Sequence, residues 1–207
     1  MSDYFIYGQK EVDYLKSRDK RLGAVIEQTG HIYRRVIPDL YAALVHSIIG
    51  QQISTKAHET IWQRMNEGIG AITPQAIDAM SLEDLQKYGM TFKKAGYIKS
   101  TARKIISGEF DIDALNSMTD EEVCTELSKL DGVGTWTAEM LMIFSMQRPN
   151  IVSYKDLAII RGMKWLYHHK EMTKERFERY RKRYAPYGSV ASLYLWKIAG
   201  GQGEIIL

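Results

Sequence analysis

Leu130-Asp131-Gly132-Val133-Gly134-Thr135-Trp136-Thr137-Ala138 joins two helical patterns and sets two glycines one residue apart around a small apolar side chain. Two glycines permit a tight turn and a close approach of backbone. The following helix is predicted to begin near Thr135, so its unpaired N–H groups emerge beside the glycine-lined turn, where they can receive a phosphate oxygen. A Gly-x-Gly between helices can equally be a C-cap and a packing contact, and the segment alone leaves both readings open.

Working outward, Thr119-Asp120-Glu121-Glu122 is a capping box that launches a helix through Val123, Leu127 and Leu130, broken at Gly132. Leu40, Leu44 and Ile48, with Tyr41, Val45 and Ile49, form two adjacent stripes on one helix that should be largely buried. Ser54 caps a helix carrying Ala57, Ile61 and Met65, stopped by Gly68 and Gly70. Thr73-Pro74 reads as an N-cap followed by proline at the first helical position, and Ser81-Leu82-Glu83-Asp84 opens a short helix closed near Gly89. The run Ala95 to Ile106 predicts a basic amphipathic helix, with Lys93, Lys94, Lys99, Arg103 and Lys104 as its solvated face. Further helices are predicted from Leu157 to His168, Lys174 to Tyr184 and Ser189 to Ala199. Only Asn150 to Ser153 and the tail Glu204 to Leu207 offer strand-like alternation, so the fold class is all-α.

With 207 residues, 45% of them hydrophobic, the chain can bury one substantial core or two small ones sharing a cleft. Its apolar runs, Leu40 to Ile49 and Val190 to Ala199, are about half of the ~20 residues a membrane-spanning helix needs. The opening Met-Ser-Asp-Tyr lacks the basic and apolar stretch of a secretory signal, which makes a cytoplasmic address the default. A lone cysteine, Cys124, excludes intramolecular disulfides and any cysteine-ligated zinc or iron–sulfur cluster built from this chain. A net charge of +3 is compatible with a nucleic-acid partner without arguing for one.

The segment 130–138 resembles the hairpin of the helix-hairpin-helix DNA glycosylases, in which an apolar helix, a short connection and an essential aspartate follow. Here Glu139 to Met146, Gln147 to Lys155 and Asp156 stand in that order. Ser47-Ile48-Ile49-Gly50-Gln51-Gln52-Ile53-Ser54, Asp156-Leu157-Ala158-Ile159-Ile160-Arg161-Gly162 and the run from Tyr184 to Trp196 are similar to segments of the alkylation-repair branch, the 3-methyladenine DNA glycosylase II type. The resemblance implies a two-lobed helical fold with a cleft, one lobe near 36–135 and the other from 1–35 plus 136–207. It implies base excision from duplex DNA by nucleotide flipping, at the bacterial or archaeal nucleoid or in a eukaryotic nucleus, by a monomer.

By the same resemblance Asp156 is the catalytic carboxylate, a group suited to stabilising positive charge on the deoxyribose. From its position alone it is equally an N-cap of the helix that follows. Lyase-competent relatives carry a lysine where this chain has Trp136, so the expected enzyme is hydrolytic and leaves an abasic site. Trp136, Trp196 and Met140 are implied in the base pocket, where indole would stack on a cationic alkylated purine. Met140 stands where some relatives place a tyrosine, and Trp196 fits core packing nearly as well. Gly132, Val133, Gly134, Thr135, Thr137, Gln51, Gln52 and Lys155 are the implied DNA contacts. Gln52 can fill the hole left by the flipped nucleotide, bond the orphaned partner base, or merely end a helix. Main-chain carbonyls of Ser128, Leu130 and Val133 are implied to bind a structural sodium or potassium ion, with no cofactor required. No proline occupies the three positions before Asp156, where many relatives have one, which leaves the aspartate's approach open. A non-catalytic hairpin module, a glycosylase for deaminated or oxidised bases and a helical protein-interaction domain are the alternatives.

Overall fold

The computed structural model describes residues 3–200. In chain order the helices are α1 (Gln9–Arg18), α2 (Lys20–Thr29), α3 (Leu40–Gly50), α4 (Thr55–Ile69), α5 (Pro74–Asp78), α6 (Leu82–Lys87), α7 (Phe92–Ile106), α8 (Asp120–Leu127), α9 (Thr135–Phe144), α10 (Leu157–Leu166), α11 (Lys174–Tyr184) and α12 (Gly188–Gly200). Among the described residues regular structure is helical, with an isolated antiparallel bridge between Tyr4 and Arg35. The all-α expectation holds. Residues 150–153 form no strand, and Glu204 to Leu207 lie outside the described residues. Among the described residues no helix is long and apolar enough to cross a membrane.

The described residues form two compact units, residues 37–146 and residues 3–36 with 147–200. In the first, side chains of Asp39, Ser54, Thr73, Ser81, Thr91 and Thr119 each accept a backbone N–H at a helix start, which fixes where the helices begin. α3 packs against α4, α7 and α9, and α9 against α8. The core gathers Leu44, Val45, Ile48, Met65, Ile98, Val123 and Leu141, each burial being worth about 1.5–3 kcal/mol. Ala138, Leu141 and Ile143 are buried, so α9 stays whole in this unit and the chain leaves it only after Met146. A lobe boundary between 135 and 136 would cut that helix at its first turn.

α7 begins at Phe92 because Thr91 caps it, earlier than the Ala95 expected. Its lysines are not all a solvated face. Lys94 Nζ donates to the carbonyls of Ile49 (2.8 Å) and Gln51 (2.6 Å), and Lys99 Nζ to those of Asp78 and Met80 (2.5 Å each). These two ammonium groups cover carbonyls at the ends of α3 and α5 that the helices themselves leave unpaired. Burial pushes the Lys94 pKa below the usual lysine value. Lys93 and Arg103 do remain exposed.

In the second unit, α1 and α2 are additions to what the sequence predicted. Asp19 caps α2 through the N–H groups of Arg21 and Leu22, and Leu15, Leu22, Val25 and Ile26 are buried. α2 packs on α12, and α1 on α11 and α12. α10 and α12 approach so closely that a methyl on Gly162 would overlap the Leu195 carbonyl oxygen.

Candidate functional site

Two regions carry the residues singled out by sequence, one in each unit. In the 37–146 unit α8 ends and the chain turns sharply: Leu130 N donates to the Leu127 carbonyl and Val133 N to that of Leu130, both at 3.1 Å. Gly132 has φ +77°, and the Tyr97 ring fills the place a Cβ would take. Its glycine is required by the fold. Gly134, the N-cap of α9, has φ −102°, and a Cβ there would meet no atom within 4 Å. Nothing in the fold demands glycine at that position. α9 also starts without a side-chain cap, so its first turn presents backbone N–H groups beside open space. The packing reading of Gly-x-Gly therefore holds at Gly132, while Gly134 borders open space at the start of α9.

Gln51 ties the end of α3 to this turn. Its Nε2 donates to the Gly132 carbonyl at 2.8 Å and lies 3.5 Å from Thr137 Oγ1, while Lys94 holds the Gln51 carbonyl. The next residue, Gln52, is exposed and has φ +57°, a left-handed conformation that costs a non-glycine residue about 1–2 kcal/mol. Strain of this kind concentrates at functional segments. Trp136 is 40% exposed on the first turn of α9, Thr135 is exposed, and Val133, Thr137 and Met140 are buried. The Leu130 carbonyl, one of three proposed to hold a cation, already accepts the Val133 N–H and keeps one lone pair for a metal ion.

In the other unit Asp156 is the N-cap of α10, 7% exposed, and its Oδ1 accepts from Ala158 N (2.8 Å) and Ile159 N (2.9 Å). The N-cap reading is thus correct as geometry, and it fixes the carboxylate's orientation. Upstream of Asp156, the segment 148–151 is tied to α12. Ser189 Oγ donates to the Arg148 carbonyl (2.5 Å) and accepts from Ile151 N (2.9 Å), Ser192 Oγ donates to the Ile151 carbonyl (2.9 Å), and Ser189 N donates to the Pro149 carbonyl (2.9 Å). Both serines are fully buried, and sequence reading missed them. Two serines in a mostly apolar helix were the available signal. Lys155 is exposed, and Leu157 is 82% exposed on the first turn of α10. Trp196 is half-buried on α12, among buried Leu195, Ile198 and Ala199. Trp136 and Met140 share one unit, and Asp156 and Trp196 the other.

Residues 45–186, which contain the hairpin and Asp156, match the family described as HhH-GPD superfamily base excision DNA repair protein. The chain belongs to the HhH-GPD superfamily. Among its HhH-GPD relatives, DNA-3-methyladenine glycosylase 1 of Schizosaccharomyces pombe is 31% identical over 163 residues, covering 76% of this chain and 71% of the relative. The crystal structure of DNA-3-methyladenine glycosidase from Bacillus halodurans superposes with a TM-score of 0.84 at 35% identity, covering 99% of this chain and 95% of that one. The S. pombe 3-methyladenine DNA glycosylase Mag1 in complex with abasic DNA superposes with a TM-score of 0.79 at 28% identity, covering 91% of this chain and 96% of Mag1.

Proposed function

We propose that this chain is a monofunctional DNA glycosylase that hydrolyses the N-glycosidic bond of alkylated purines, of the 3-methyladenine and 7-methylguanine type, in duplex DNA. The observation that carries the reading is the Asp156 carboxylate, held by two N–H bonds at the start of α10 within the family-matched region. Breaking the bond leaves positive charge on the deoxyribose, and an oriented carboxylate beside the sugar stabilises that charge or orients the attacking water. Because the oxygen that caps α10 is fixed, the group needs no rearrangement as the charge develops.

The DNA partner is supported by the uncapped start of α9 beside Gly134, which suits a backbone phosphate, and by the relative solved with abasic DNA. The exposed, left-handed Gln52 is the side chain we assign to the space vacated by the flipped nucleotide. Trp136 offers an exposed indole face for a cationic methylated base. It also stands at the hairpin position where lyase-competent enzymes carry lysine, and an indole cannot form a Schiff base. Carbonyls of Ser128, Leu130 and Val133 would hold a sodium or potassium ion at the turn. That ion would supply positive charge for DNA binding, and the hydrolysis itself is assigned to protein groups and water in a monomer.

The test is base release from methylated duplex DNA, resolved by chromatography, with strand breaks scored before and after alkali. Free 3-methyladenine or 7-methylguanine with breaks only after alkali is the expected result. Breaks before alkali would contradict the monofunctional assignment. Release of hypoxanthine, uracil or oxidised bases instead would redirect the substrate class, and DNA binding without release of any base would leave a non-catalytic hairpin module.

A further inference from the structure

The end of α10 opposite Asp156 opens on a cavity of about 540 Å³, lined by Arg18, Lys20, Arg21, Tyr167, His169 and Arg183 among others, all within one unit. At the helical rise the ten residues of α10 place it about 15 Å along the axis from Asp156. At its base Asp19, 3% exposed, is saturated: Oδ1 accepts from the N–H groups of Arg21 (3.1 Å) and Leu22 (3.0 Å), and Oδ2 from Tyr167 Oη (2.6 Å) and Arg183 Nη1 (2.7 Å). One carboxylate is thereby matched by one guanidinium. Among the described residues no carboxylate pairs with Arg18, Lys20 or Arg21, so the cavity keeps an excess of positive charge. His169 senses it, because burial and the charges of Arg176, Arg21, Arg179 and His168 together lower its pKa.

The aromatic walls indicate what kind of anion fits. Tyr180 stacks on Tyr167 with centroids 3.7 Å apart and planes 6° apart, the Arg183 guanidinium lies 5.2 Å from the Tyr180 ring centre, and the Tyr180 hydroxyl meets His169 Nε2 at 2.7 Å. Those rings are occupied by one another and by Arg183, which leaves cationic donors rather than a platform for a base. Arg183 is committed to Asp19 and Arg21 donates through Nη1 to the Leu166 carbonyl (3.2 Å), which leaves the rest of the Arg21 fork, the Arg18 guanidinium and the Lys20 ammonium lining one cavity, donors that match a phosphate group.

We propose that this cavity is a phosphate-binding site separate from the hairpin, its ligand a phosphate carried either by a nucleic-acid strand or by a free phosphate compound. The assignment is independent of the glycosylase reading, since no group near Asp156 takes part.

The experiment follows the His169 ring protons by NMR across a pH titration of the whole chain, assigned with His169→Gln. It is run in chloride, in inorganic pyrophosphate at equal ionic strength, and with a lesion-free DNA duplex. A phosphate beside the ring favours the protonated form, so pyrophosphate should raise the His169 pKa by about one unit. The rise should vanish in the double variant Arg18→Gln/Lys20→Gln, whose exposed side chains the fold does not need, so its thermal unfolding should match wild type. The same rise with duplex, accompanied by a salt dependence of binding shallower by about one phosphate contact per removed charge in the variant, assigns the phosphate to a nucleic-acid strand. A rise with pyrophosphate alone assigns it to a free phosphate compound. No rise with either, or an undiminished rise in the double variant, overturns the site.

Discussion

The Gln51 side-chain amide donates to the Gly132 carbonyl across 2.8 Å, while Lys94 holds the Gln51 carbonyl at 2.6 Å. The two segments assigned to DNA contact, the turn after α3 and the hairpin before α9, are therefore one bonded assembly. Gln51→Ala should cost about 1 kcal/mol in denaturant unfolding by leaving that carbonyl under-satisfied, and should weaken duplex binding several-fold by loosening the turn. Unchanged stability and binding would show that the bond carries neither.

The two hairpin glycines should separate in behaviour. Gly134→Ala adds a methyl into open space at an ordinary φ, so it should unfold like wild type yet bind all duplex sequences more weakly, because the methyl crowds a phosphate. Gly132→Ala forces a left-handed alanine against Tyr97 and should lose about 1–3 kcal/mol of stability. Thermal melts and binding to undamaged duplex check both, and wild-type binding by Gly134→Ala would end the phosphate assignment.

The anchoring of the segment 148–151 on α12, and the close α10–α12 contact, give a third expectation. Ser192→Ala removes the donor to the Ile151 carbonyl and leaves a buried acceptor unmet, a loss of about 1–3 kcal/mol. Gly162→Ala pushes α10 off the Leu195 backbone, with a comparable cost. Both should lower the rate of base release more than they lower DNA binding, read by single-turnover kinetics beside equilibrium titration. Full activity in a Gly162→Ala protein would show that the α10–α12 contact does not position the carboxylate.

Acid should destabilise the 37–146 unit through His46. Burial, with His58 packed 4.0 Å away between ring centres, lowers its pKa to about 4. The folded chain keeps the ring neutral while the unfolded chain protonates it near 6.5, so the unfolded state binds more protons between those values. Stability is then intact above about pH 6.5, falls as pH drops towards 4 by at most about 3 kcal/mol, and flattens below. His46→Phe should remove this part of the pH dependence, measured as urea midpoints across pH. An identical profile in the variant would contradict it.

What the sequence made legible follows the range of the interactions involved. Helix starts at Ser54, Thr73, Ser81 and Thr119, and the N-cap at Asp156, depend on contacts two or three residues away and were readable. α1 was not, because Val12 and Leu15 are sparse apolar positions among charges, although Asp19 followed by Leu22, Val25 and Ile26 carried a readable start for α2. Lys94 and Lys99 read as solvated charges in the sequence because composition does not say which carbonyls an ammonium will meet, and theirs lie on other helices. Ser189 and Ser192 escaped notice for the same reason, their partners Arg148 and Ile151 being 41 residues distant.

The central claim is that Asp156 serves chemistry as well as capping, and Asp156→Asn separates the two. Asparagine caps a helix about as well as aspartate, so the variant should keep its fold and its binding to abasic-site DNA. It should also lose release of methylated purines by a hundredfold or more, since it removes the charge that stabilises the sugar cation. Base release by Asp156→Asn at the wild-type rate, in a folded protein that still binds abasic DNA, would contradict the account.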